Sequence, residues 1–213
     1  MTELFERIRT AGLVPVIKLD EAAQARGLGK ALVEGGLMVA EVTFRTAAAA
    51  EAIRMLRKEY PALLVGAGTI LTIDQAKASV DSGAVFAVTP GFNPKIVSYF
   101  IDRGIPVVPG VNSPTQVEMG LEMGLKVLKF FPAEASGGVK MLKALSGPYT
   151  DVRFMPTGGI DETNLSSYLA LPNVLACGGS WMVKDELIAK GRFDEIARIS
   201  GEAVALVKRI REK

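Results

Sequence analysis

Lys129 stands inside an apolar, aromatic-rich run, K-V-L-K-F-F-P-A-E over 126–134, that reads as a strand stopped by Pro132. A second apolar run, M-V-A-E-V-T-F over 38–44, carries Glu41, and Arg45 follows its end. Side chains two apart on a strand share a face. Val127, Lys129 and Phe131 therefore point one way on their strand, as do Val39, Glu41 and Thr43 on theirs. Lys129 and Glu41 can both point inward, where an amine or a carboxylate is costly unless it is paired or put to work. Two readings stand for each residue. Glu41 serves chemistry or partners a core cation; Lys129 serves chemistry or is a strand-edge lysine reaching solvent. Lys126, of opposite parity, is expected to be only a surface charge.

The rest of the composition narrows the chemistry. The chain has no histidine and a single cysteine, Cys177. A His- or Cys-rich zinc site is excluded, as are Ser-His-Asp and Cys-His machinery. Proton transfer must rest on Glu, Asp, Lys, Tyr or water, and a carboxylate-held magnesium stays open. Cys177 cannot form an internal disulfide and reads as a buried small apolar residue.

Two glycine pairs, Gly158–Gly159 and Gly178–Gly179, follow strand candidates. Bare backbone N–H groups there can approach an anion closely, and Ser180 could add a hydroxyl donor. Tight turns use Gly-Gly equally well. Gly66 and Gly68 read as relief of crowding within their strand, and Trp181 reads as packing. Lys18, at the end of the first strand, either reaches an anion at the mouth or lies on the surface.

Positioning these groups is a task for alternating elements. Strand candidates fall at 13–17, 38–44, 63–68, 85–89, 106–110, 127–131, 153–157 and 174–177. Helical patterns fall between and after them, at 20–34, 47–59, 72–82, 93–102, 114–123, 137–145, 161–170 and 193–211. Thr72, Asn93, Ser113 and Asp161 stand where N-caps belong. Strands this apolar suggest burial on both faces, as in parallel sheets. Eight strand–helix units without a linker predict an α/β chain folded as one (β/α)8 TIM barrel over 1–213, with an extra N-terminal helix at 2–11. The runner-up is an open doubly wound sheet, which usually has a glycine-rich first turn, whereas the first turn here is K-L-D-E-A. In a barrel of this kind chemistry collects at the C-terminal strand ends, and the seventh and eighth loops often hold phosphate.

The chain's 213 residues are 49% hydrophobic, enough for one sizeable core, and its net charge is +2 with the two signs intermixed. With no basic run, nucleic acid and anionic membrane are not expected partners. The N-terminus lacks a signal peptide's apolar region, and no apolar run approaches the ~20 residues of a membrane span. With one cysteine, the expectation is a cytoplasmic protein.

Taken in order, E-V-T-F-R-T (41–46), G-A-G-T (66–69), K-F-F-P-A-E (129–134), P-T-G-G-I (156–160) and G-G-S-W (178–181) resemble the 2-keto-3-deoxy-6-phosphogluconate (KDPG) aldolase family. The similarity runs over nearly the whole chain. It implies a class I aldolase on a (β/α)8 barrel, usually a homotrimer and needing no cofactor or metal. Such an enzyme cleaves KDPG to pyruvate and glyceraldehyde 3-phosphate, the last step of the Entner–Doudoroff pathway; many members also act on 4-hydroxy-2-oxoglutarate. By matching motifs, Lys129 would form the Schiff base and Glu41 would be the general acid/base. Arg45 and Thr69 would hold the pyruvate carboxylate, and Thr157 would touch substrate near the carbonyl and hydroxyl. Gly158, Gly159 and Ser180 would bind phosphate, and Pro90 and Phe131 would shape the pyruvate pocket. Three alternatives stay open: a related 2-keto-acid aldolase of different C4 stereochemistry, a phosphate-handling isomerase or epimerase, and a barrel that only binds sugar phosphates.

Overall fold

The computed structural model describes residues 2–212. In chain order its helices and strands are α1 Glu3–Ala11, β1 Leu13–Ile17, α2 Gln24–Glu34, β2 Val39–Thr43, α3 Ala49–Glu59, β3 Leu64–Gly68, α4 Ile73–Asp81, β4 Ala87–Val88, α5 Pro94–Ile101, β5 Val107–Val108, β6 Gly110–Val111, α6 Pro114–Glu122, β7 Val127–Phe130, α7 Gly138–Ser146, β8 Arg153–Pro156, α8 Leu165–Leu169, β9 Cys177–Gly179, α9 Asp185–Ala189 and α10 Phe193–Arg211. This is an α/β fold of alternating elements, with the expected N-terminal helix present as α1. No helix among the described residues is long and apolar enough to cross a membrane.

Local chemistry sets most boundaries. The Thr72 hydroxyl accepts from the Gln75 N–H at 3.1 Å and starts α4. Asn93 accepts from the Lys95 N–H at 3.1 Å, with Pro94 in the first turn of α5. Ser113 precedes α6 but does not cap it; its hydroxyl turns to Gln116 Oε1 at 3.3 Å. Asp161 does not start a helix either. Its carboxylate accepts from the Thr163 N–H at 2.8 Å and hydroxyl at 2.6 Å, a local turn that competes with helix, so α8 begins only at Leu165.

Three strands differ from the sequence expectation. β4 keeps only two residues of the run 85–89. The fifth run is split at Pro109, which has no N–H for the ladder, although its carbonyl still accepts from the Lys129 N–H at 2.9 Å. The eighth run lies later than 174–177: β9 is Cys177–Gly179, so Gly178 and Gly179 stand inside a strand and not beyond one.

Every strand pairing is parallel. One sheet has the order β5-β4-β3-β2-β1-β9, and a second has β6-β7-β8. Pro109 alone separates β5 from β6, and parallel bridges Phe154↔Val174 and Thr157↔Gly178 link the β8 and β9 segments. Helices and the outer strand faces share one large core. A separate cluster fills the inner faces, including Val14, Val39, Leu64, Phe86, Val127 and Met155, with Ile8 of α1 against its base. Two residues further along the same strands, on the same face, come Val16, Glu41 and Lys129. Register places Glu41 between Val16 and Gly66, and Lys129 between Gly110 and Met155.

Candidate active site

The two inward charges meet. Lys129 Nζ lies 3.6 Å from Glu41 Oε1, and their side chains are 5% and 0% exposed. That distance serves attraction but exceeds a good hydrogen bond, and neither Glu41 oxygen has a hydrogen-bond partner. Desolvating an ion inside a protein costs several kcal/mol, so a pair this loosely satisfied is poor as a stability device. Lys129 Nζ also lies 5.0 Å from the centre of the Phe131 ring. Lys126 is the surface charge expected, 70% exposed and 4.0 Å from Asp151.

Phe131 leads from this pair into a cleft of about 570 Å³. Of the predicted residues, Arg45, Phe131, Thr157, Gly158, Gly159 and Ser180 line it together. Thr69 and Pro90 do not line that cleft. Thr69 follows Gly68, which abuts Glu41, while the Pro90 carbonyl packs against Gly110, the register neighbour of Lys129.

The glycines explain the cleft's shape. Gly158 and Gly159 have φ of +104° and +77°, a conformation that favours glycine. The Gly158 carbonyl accepts from the Glu134 N–H at 3.1 Å, and the Gly159 carbonyl from the Asn164 amide at 2.8 Å. A side chain on Gly178 would collide with Thr157, and one on Gly179 with Trp181. Trp181 is thus packing, as the sequence suggested, and it also lines the cleft.

Charge at the mouth is mixed, from Lys18, Arg45 and Lys184 against Asp161 and Asp185. Lys18 resolves toward the cleft. Its Nζ sits 2.9 Å from Asp20 and 4.0 Å from Asp185. The hydrogen bond to Asp20 raises its pKa, partly offset by desolvation and by Arg45. Asp161 is held below the usual carboxylate range, first by the Thr163 hydroxyl. Burial pushes the Cys177 thiol up, in keeping with an inert core residue. Sequence reasoning missed Asp161, Lys184 and Asp185 as cleft residues. Lys184 and Asp185 belong to a short turn and helix whose pattern is too brief to show.

Parallel strands bring an amine and a carboxylate together in the interior of an α/β fold, next to a cleft lined by Lys18, Arg45 and Lys184 against Asp161 and Asp185. Comparison with known proteins gives the family. The model for KDPG and KHG aldolase matches residues 4–199. The 2-dehydro-3-deoxy-phosphogluconate aldolase of Haemophilus influenzae is 52% identical over 206 residues, 97% of each chain. A KDPG aldolase structure from Legionella pneumophila, with pyruvate captured at low pH as a covalent carbinolamine intermediate, is 40% identical with TM-score 0.91, covering 94% of this chain and 98% of that one. The Zymomonas mobilis ZM4 enzyme with 3-phosphoglycerate is 38% identical with TM-score 0.90, covering 96% of both. The chain belongs to the KDPG and KHG aldolase family.

Proposed function

We propose that this chain is a class I aldolase that cleaves KDPG to pyruvate and glyceraldehyde 3-phosphate and also acts on 4-hydroxy-2-oxoglutarate. The observation that carries this is the Lys129–Glu41 pair, 3.6 Å apart and buried beside a cleft lined by Arg45 and the Gly158–Gly159 turn. The relative holding pyruvate as a carbinolamine supports it.

The chemistry balances with side chains alone. The Lys129 amine, attacking in its neutral form, adds to the C2 ketone, and the carbinolamine loses water to give an iminium. The C3–C4 electrons move toward the iminium nitrogen as the C4 hydroxyl gives up its proton. Aldehyde leaves and an enamine stays. Protonation at C3 regenerates the iminium, and water returns lysine and pyruvate. In this reading Glu41 shuttles these protons, directly or through water. Arg45 presents a forked donor suited to the pyruvate carboxylate, and Thr69 is the second group read as holding it. Thr157 serves the carbonyl and hydroxyl region, Pro90 and Phe131 bound the pyruvate pocket, and Gly158, Gly159 and Ser180 receive phosphate.

The same reading joins the two sheets into one closed (β/α)8 barrel and one domain. Supporting it are the short step from β5 to β6 across Pro109 and the bridges between the β8 and β9 segments. A homotrimer follows from the family resemblance. A cytoplasmic setting accords with a single, buried, unpaired cysteine.

Lys129→Ala should abolish KDPG cleavage, measured as pyruvate release, in a protein that still folds, at a lower unfolding temperature because Glu41 loses its buried partner. Lys126→Ala should keep wild-type kcat. Appreciable turnover by Lys129→Ala would mean that another nucleophile carries the reaction.

A further inference from the structure

Gly68, the last residue of β3, has no turn to make and no left-handed φ to adopt. Its empty side is occupied by Glu41. A Cβ at position 68 would overlap Glu41 Oε1 and come within 2.5 Å of Cγ and 2.6 Å of Cδ. The two residues lie on neighbouring strands, with Thr43 opposite Gly68 and Glu41 opposite Gly66. Gly66 plays another part, since its empty side holds the Phe86 ring of the inner core. The Glu41 carboxylate is wholly buried and neither oxygen has a hydrogen-bond partner. Among protein groups, shape holds the carboxylate where no donor does. The carboxylate rests in the notch left by Gly68, with Lys129 Nζ at 3.6 Å.

We propose that Gly68 is a positioning residue for the acid/base: its missing side chain is the notch that keeps the Glu41 carboxylate in reach of Lys129. This rests on the reading of Lys129 and Glu41 as the catalytic pair. A methyl group at position 68 cannot be absorbed by a solvent-facing rearrangement, because the carboxylate is enclosed. It must drive Glu41 to another rotamer, away from the proton-transfer path, while the lysine nucleophile stays where it is.

The test compares wild type, Gly68→Ala, Glu41→Ala and the double variant. Borohydride trapping of pyruvate on wild-type Lys129 comes first; no adduct there removes the catalytic pair and this inference with it. Given that adduct, Gly68→Ala should still trap pyruvate on Lys129 yet lose about 100-fold or more in kcat for KDPG, with KM little changed. The double variant should be no slower than Glu41→Ala, because the notch matters only through the carboxylate. Near-wild-type kcat in Gly68→Ala overturns the proposal, and so do losses that multiply in the double variant. Where Gly68→Ala unfolds, thermal melting decides. A double variant restored towards the Tm of Glu41→Ala supports the collision, and one as unstable as Gly68→Ala overturns it.

Discussion

Lys126 and Lys129 stand three positions apart and meet opposite surroundings. One is 70% exposed near Asp151; the other is 5% exposed against Glu41. Strand parity separates them in the sequence, because a period of two allows only one of the pair inside. Parity does not say which inward groups face each other, nor that Gly68 makes room for Glu41, since both depend on neighbouring strands in register. Arg45 shows another limit. Its position after β2 is legible, whereas its place on the cleft wall beside Phe131 and Thr157 is not. As an exposed residue it contributes little to stability, but a charge-assisted bond to carboxylate is worth about 1.5–3 kcal/mol. Arg45→Ala should therefore raise KM for KDPG by about 10- to 100-fold, with unfolding temperature nearly unchanged. Steady-state kinetics and a thermal melt check this together; an unchanged KM would remove Arg45 from substrate binding.

Elements were legible wherever apolar runs and caps agreed. Buried parallel strands read as continuous apolar runs, and Thr72 and Asn93 cap α4 and α5 as their types suggest. The strand errors at β6 and β9 fall where glycine or proline carries the structure. An apolar reading ends the eighth strand at Cys177, but β9 runs through Gly178 and Gly179, which are small because Thr157 and Trp181 fill the space beside them. Pro109 breaks its strand while keeping its carbonyl in the ladder. Asp161 looked like a cap and instead closes its own turn. The caps carry a testable cost. Thr72→Ala should destabilise the protein by about 1 kcal/mol in denaturant unfolding and leave kcat unaltered, since α4 only follows the loop that carries Thr69. No loss of stability would mean that the Gln75 N–H finds an equal partner elsewhere.

At the scale of the molecule, Glu41 and Lys129 sit on β2 and β7, which belong to different sheets and share no ladder. They meet because both strands turn inner faces to one enclosed core, with Val39 and Val127 packed one step below them. An inward lysine and glutamate were legible from the sequence, but their meeting is a property of the assembled fold. The Schiff-base reading depends on that meeting placing a reactive amine at the cleft. The most direct measurement is borohydride reduction in the presence of pyruvate, followed by peptide mass mapping. The account predicts one reduced pyruvyl adduct, on Lys129, with Lys18 and Lys126 unmodified. An unmodified Lys129, or an adduct on another lysine, would contradict it.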